Sequence, residues 1–205
     1  MGLFDRLRTV IGSRAAADAS RGADAEDLFD MSTAYVTMEA NLDYVPTGDA
    51  ALCFGDVDST DFRDAVDEVE AIVAAGEAET GTEYRSATDD YGYRWIIFHD
   101  RAFEDLVTSV HFAADTLIDA RFGSRLLGAL FGFEHERDRT RAYWIYSFRR
   151  GSFYPFVPDD IGEHERDSTA EFKLESTLDG ELDVEGDREY WYPLWPDRRG
   201  GDPWD

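Results

Sequence analysis

Residues 141–158 read RAYWIYSFRRGSFYPFVP, and seven of these 18 are aromatic in a chain that is 14% aromatic overall. Ala142, Trp144, Tyr146 and Phe148 alternate with Tyr143, Ile145 and Ser147, the period of a pleated strand. Arg149, Arg150, Gly151 and Ser152 break the pattern and supply a turn. Phe153 to Val157 resume it, and Pro155 and Pro158 exclude this second strand from the middle of a sheet, because proline cannot donate to a ladder. The rest of the chain can be read as packing around this aromatic hairpin.

Upstream, residues 126–133 form an apolar run that predicts a buried strand, the hairpin partner of 141–148. Residues 81–87 and 93–98 flank Thr88-Asp89-Asp90-Tyr91-Gly92 and predict another hairpin, with Trp95 and Ile97 on one face and Ile96 and Phe98 on the other. Pro46-Thr47-Gly48-Asp49 has turn chemistry, so a short buried strand is expected to start only at Ala50 and run to Phe54. Three helices are expected between these strands. The first carries Leu28, Met31, Tyr35, Met38 and Leu42 at helical spacing. The second, capped by Ser59 or Thr60, carries Phe62, Val66, Val69 and Val73. The third carries Phe103, Leu106, Val110, Ala114 and Leu117, with Gly123 expected to end it. Residues 168–182 fit a strand or a helix, and helix is preferred. The class is therefore α+β, a largely antiparallel sheet built from two hairpins with helices packed on it. The expected layout is an amphipathic segment and flexible linker at 1–24, one domain at 25–196 and a disordered tail at 197–205.

Composition sets the environment. The net charge is −25, from 45 acidic and 20 basic residues, and Lys173 is the sole lysine. Such a composition suits concentrated salt, where the Debye length falls to roughly 3 Å at 1 M and crowded carboxylates repel little. Intrinsic disorder is the competing explanation of high charge, but 43% hydrophobic residues and clear periodicity oppose it. A nucleic-acid partner is excluded for want of a basic stripe. Arg137, Arg139 and Arg141 come nearest, and Glu136 and Asp138 interrupt them. No stretch approaches the roughly 20 apolar residues of a membrane span, and no signal-peptide pattern opens the chain. A cytoplasmic protein is expected. Residues 1–12, MGLFDRLRTVIG, either pack on the domain or touch a membrane surface or partner.

Few residues carry a chemical signal. Cys53 sits in an apolar run and reads as a buried structural thiol. The tetrapeptide EHER occurs at 134–137 and again at 163–166, without the spacing that sets two histidines on one helical face. His111 lies beside an apolar stripe and reads as packed or partly exposed. Asp89 and Asp90 suit a turn without any metal. No catalytic, cofactor or metal residues are expected. The turn at Arg149 and Arg150 beside Tyr154 is where cation, hydroxyl and aromatic face meet, and it suits a carboxylate or a peptide strand. A purely structural turn is the alternative. Trp191 and Trp195, in the proline-broken YWYPLWP, either strap onto the domain or offer themselves to a partner.

Four segments in this order, PTGDAALCF, SATDDYGYRW, YSFRRGSFYPFVP and YWYPLWP, resemble the PspA-associated protein PspAB family in a haloarchaeal form. The resemblance implies association with a PspA-type envelope-stress system. It also implies an HtpX-type membrane protease as a neighbour, and it supplies no catalytic residue. The expected role is a non-enzymatic adaptor or regulator. The alternative is a small-ligand-binding protein or enzyme with a pocket near Arg149 and Tyr154.

Overall fold

The computed structural model describes residues 23–89, 91–159 and 165–193. A short 3-10 turn, Glu26–Asp30, leads into α1 (Met31–Leu42). Strand β1 (Tyr44–Gly55) follows, then α2 (Thr60–Thr80), β2 (Glu83–Thr88), β3 (Tyr93–His99), α3 (Phe103–Asp119), β4 (Leu126–His135), β5 (Arg141–Ser147), β6 (Ser152–Phe156) and α4 (Ser168–Leu178). The six strands form one sheet in the order β2-β3-β1-β4-β5-β6. Every pair in it is antiparallel. The fold is α+β, and both expected hairpins are present with β1 lying between them.

The alternation of β5 divides the molecule. Ala142, Trp144 and Tyr146 face a core shared with Ala50, Leu52, Phe54, Ile96, Phe98, Phe131 and Phe133, and all four helices pack into it. Tyr143 and Ile145 face the other side with Ala51, Cys53, Trp95, Ile97, Leu130, Tyr154 and Phe156. Among the described residues, the cover on that second face comes from 184–192, with Trp191 fully packed against it. The helices attach by aromatic edges. Phe103 at the start of α3 meets Phe131 and Phe133 at 5.8 and 5.4 Å. Phe62 of α2 meets Phe54 and Phe122 at 6.2 and 5.0 Å. Ser59 caps α2, its hydroxyl accepting from the Phe62 N–H at 3.1 Å, while Asp64, Asp67 and Glu68 face solvent.

Three expectations about boundaries are corrected. Pro46-Thr47-Gly48-Asp49 is no loop: it is an irregularity inside the long central strand β1, whose register against β4 shifts between Pro46 and Ala50. Extra residues in one strand bend it and increase its twist. Gly48 takes φ +88, and its carbonyl accepts from the Asp100 N–H at 2.9 Å. A Cβ at this position would stand 2.9 Å from the Asp100 carbonyl oxygen, so the bulge demands glycine twice over. Gly48→Ala is expected to cost about 1–3 kcal/mol, the range for a residue forced into a disfavoured backbone region. Urea unfolding measures this, and an unchanged midpoint would show that the bulge relaxes. The second correction is at the end of α3, where the left-handed residue is Arg121 (φ 68) and not Gly123. Gly123 instead opens a 3-10 turn, Gly123–Arg125, and a Cβ there would lie 3.1 Å from Ile118. The third is the extent of the last helix, which stops at Leu178 and does not reach 182.

Pro155 behaves as the proline rule requires. Strand β6 is the sheet edge, and its outward groups are satisfied from the C-terminal segment. The Phe153 N–H donates to the Asp183 carbonyl, and the Glu185 N–H donates to the Phe153 carbonyl, both at 2.8 Å. Two residues on, Pro155 has no N–H to satisfy, and its carbonyl accepts from Arg166 Nη2 at 3.3 Å. The Val157 N–H donates to Glu171 Oε1 at 3.0 Å.

Candidate functional site

The β5–β6 turn closes on Ser147, whose carbonyl accepts from the Arg150 and Gly151 N–H groups at 3.1 and 2.7 Å. Gly151 takes φ +66, the conformation that L residues avoid. The two arginines of the turn have different surroundings. Arg150 Nε donates to Glu185 Oε2 at 2.7 Å, and its guanidinium lies 4.1 Å from the centre of the Tyr190 ring. Glu185 also accepts from Ser152 Oγ at 3.3 Å and from the Asp187 N–H at 3.0 Å. Burial alone would raise the Glu185 pKa, but these donors together, Arg150 foremost, hold its carboxyl below the usual range. Arg150 is thus tied into the fold.

Arg149 is not. Its Nη1 is buried and has no hydrogen-bond partner. Burial lowers its pKa, Arg125 adds repulsion to that, and Tyr93 and Tyr192 stand close enough to offset part of it.

Tyr154 belongs to a third environment. It is buried on the second sheet face and stacks on Trp191 with ring centres 6.4 Å apart. Burial raises its phenol well above the ordinary value, against the opposing pull of Arg166 and a hydrogen bond from the Tyr192 backbone. Trp191 is fixed at both ends. Its indole Nε1 donates to the Glu185 carbonyl at 2.8 Å, and its own carbonyl accepts from Arg166 Nη1 at 2.7 Å. The Arg188 guanidinium lies 4.9 Å from its ring centre. Of the two expectations for this tryptophan, the strap is the arrangement present. Trp195 lies outside the described residues. Arg150, Tyr154 and Trp191 are therefore brought together through Glu185 and Arg166, while Arg149 stands with Arg125.

Glu185, Arg166, Glu171 and Arg125 had no signal in the sequence strong enough to single them out. Arg166 ends the second EHER copy, and its Nε donates to Glu171 Oε1 at 2.8 Å. Arg137 ends the first copy and pairs with Asp43 at 2.7 Å on the surface. The repeated tetrapeptide serves two unrelated contacts. His135 bonds Asp138 at 2.8 Å within its own loop, and Glu163 and His164 lie outside the described residues. Among the described residues no group of three or more His, Cys, Asp or Glu is arranged to hold a metal. Asp89 is occupied by its own hairpin: Oδ1 accepts from the Tyr91 and Tyr93 N–H groups at 2.9 Å, and Oδ2 accepts from Trp95 Nε1 at 3.0 Å. Asp90 lies outside the described residues. Cys53 is buried, and that burial pushes its thiol pKa well up.

A second group lies on the helical side, around the His111 that the sequence reads as packed or partly exposed. His111 is buried, with Nε2 3.1 Å from Glu26 Oε1 and Nδ1 unpartnered. Phe29 covers it at 4.5 Å and Phe112 adjoins it at 5.5 Å. Both phenylalanines stay exposed, at 38% and 51%. The two rings share His111 as a neighbour and so lie on one surface.

The fold and these two surfaces define an α+β protein with helices on one sheet face and its polar candidates mostly consumed by a C-terminal strap. The chain belongs to the PspA associated protein B family, whose family model matches residues 1–204. No curated protein matches the chain. Among the described residues no helix is long and apolar enough to cross a membrane.

Proposed function

We propose that the chain is a non-enzymatic adaptor or regulator of a PspA-linked envelope-stress response, and that it docks a PspA-type protein through the surface containing Phe29 and Phe112. The observation that carries the proposal is membership, along residues 1–204, of a family named for its association with PspA. The exposed aromatic pair supports the location, since aromatic side chains dominate the energetics of protein interfaces. The acid excess supports work in concentrated salt, where screening leaves apolar contact as the dependable source of affinity. An HtpX-type membrane protease is the second partner this role accommodates, with the chain at the cytoplasmic membrane surface.

The test is capture from a lysate in concentrated KCl using the full chain as bait, with the bound PspA-type protein and protease identified. The double variant F29S/F112S is expected to lose capture while remaining folded, at a cost of about 1–2 kcal/mol for the part of Phe29 packed on His111. Recovery of neither partner by the unaltered chain overturns the proposal. Equal recovery by the double variant moves the docking surface elsewhere. The ligand-binding alternative is favoured by one observation, the unpartnered Nη1 of Arg149, and not by Tyr154, which is packed beneath Trp191.

A further inference from the structure

Buried polar groups in folded proteins are almost always hydrogen-bonded, and an unpaired charged donor is costlier than a neutral one. Arg149 Nη1 is such a donor. Its surroundings compound the cost, because Arg125 stands within electrostatic range and repels it. Among the described residues neither arginine has a carboxylate partner, in a chain with 45 acidic and 20 basic residues. Arg63, Arg101 and Arg121 also lack one, but they are exposed to water, whereas the Arg149 Nη1 is buried.

The topology brings them together. Arg125 immediately precedes β4, and Arg149 lies in the turn after β5. The β4–β5 ladder pairs Gly128 with Ser147, and the Phe148 N–H donates to the Leu127 carbonyl at 3.3 Å. Both residues therefore reach the same end of the sheet. Tyr93 opens β3 at that end, opposite Gly55, while Phe54 pairs with Leu126. Tyr192 arrives from the C-terminal strap.

We infer that Arg149 and Arg125 form a binding site for a phosphate group, walled by Tyr93 and Tyr192. Two guanidinium groups carry two positive charges and match a phosphate dianion, whereas one carboxylate would neutralise only half. Guanidinium forks bind phosphate oxygens in a bidentate manner, and such charge-assisted bonds are the strong ones. A bound phosphate would supply the partner that the buried Nη1 lacks. Nucleic acid is disfavoured as the source by the net charge of −25. The remaining sources are a small phosphorylated molecule and a lipid headgroup. The inference goes beyond the adaptor role and does not depend on it.

The experiment titrates inorganic phosphate into the full chain in concentrated KCl, following the phosphorus resonance and the unfolding midpoint. Saturable binding and a raised midpoint are expected. R149Q should weaken binding about tenfold or more, the value of one charge-assisted hydrogen bond. R125Q, at an exposed position, keeps the fold and should weaken it several-fold. A parallel arm uses phosphatidylcholine vesicles with and without phosphatidic acid. Phosphate binding without vesicle binding assigns a small molecule. Binding only to the phosphatidic acid vesicles, lost in R149Q, assigns a headgroup. Either result supports the site. Equal affinity for acetate, no binding in either arm, or unchanged affinity in both variants overturns it.

Discussion

Glu171→Ala is expected to lower stability by about 3–5 kcal/mol, the range for breaking a buried ion pair from one side. Glu171 is only 3% exposed. Its Oε1 accepts from Arg166 Nε at 2.8 Å and from the Val157 N–H at 3.0 Å. Removing it strands a guanidinium that also holds the Trp191 and Pro155 carbonyls, so the damage spreads along the strap and the β6 edge. The ion pair itself is not the source of this cost. Burial raises the Glu171 pKa, and the bonds from Val157 and Arg166 recover only part of it. A carboxyl raised in the folded state adds most stability below its unfolded value, and that contribution is lost as pH rises through the folded one. Glu185 has the opposite sign: its pKa is lowered, so its contribution is present above the unfolded value and lost on acidification. Glu171→Gln keeps an acceptor for Val157 and should cost much less than the alanine change. Urea unfolding in concentrated KCl checks both variants. A loss under about 1 kcal/mol for the alanine variant, below the ordinary effect of a lost buried partner, would show that the strap is held by apolar contact.

Period was the legible part of this fold. The alternation of 141–148 and of Trp95 to Phe98 gave the correct faces, because a strand buried on both sides still sorts its side chains by two. Pro155 gave the edge position, because its missing N–H has one place to go. What failed were positions where tertiary context overrides local chemistry. Pro46-Thr47-Gly48-Asp49 has the composition of a loop, and only its two neighbouring strands make it a bulge. Gly123 has the composition of a helix cap, and its real constraint is contact with Ile118. Residues 168–178 do form the preferred helix, and the reason is local: Asp167 accepts from the Thr169 and Ala170 N–H groups at 3.0 and 2.9 Å.

The candidate site was half legible for the same reason. The turn arginines stand out as a charged pair between two aromatic strands. Which of them is satisfied depends on Glu185, and which is not depends on Arg125 and Tyr93, all remote in sequence. Tyr154 looked like a hydroxyl beside those arginines. Alternation sends it to the second sheet face, where Trp191 closes over it. Spacing along a strand therefore separated residues that proximity in sequence had joined.

Trp144 tests the centre of the opening stretch. Trp144→Ala is expected to cost about 3–5 kcal/mol, the transfer term plus the cavity left in a fully buried site. The residue is 0% exposed and pairs with Phe131 on β4 and Pro155 on β6. Trp144→Phe should behave differently. The indole Nε1 is buried without a hydrogen-bond partner. An orphaned donor of this kind costs about 1–3 kcal/mol, and phenylalanine removes it while retaining most of the apolar surface. The regained desolvation offsets the smaller ring, and the net change should fall within about 1 kcal/mol of the unaltered chain. Urea midpoints for the two variants, measured side by side in concentrated KCl, separate the contributions. If phenylalanine proves as damaging as alanine, the shape of the indole outweighs the unpaired N–H, and the aromatic content of β5 is a matter of packing alone. If phenylalanine is tolerated, tryptophan at this position carries a cost that stability of the fold does not explain.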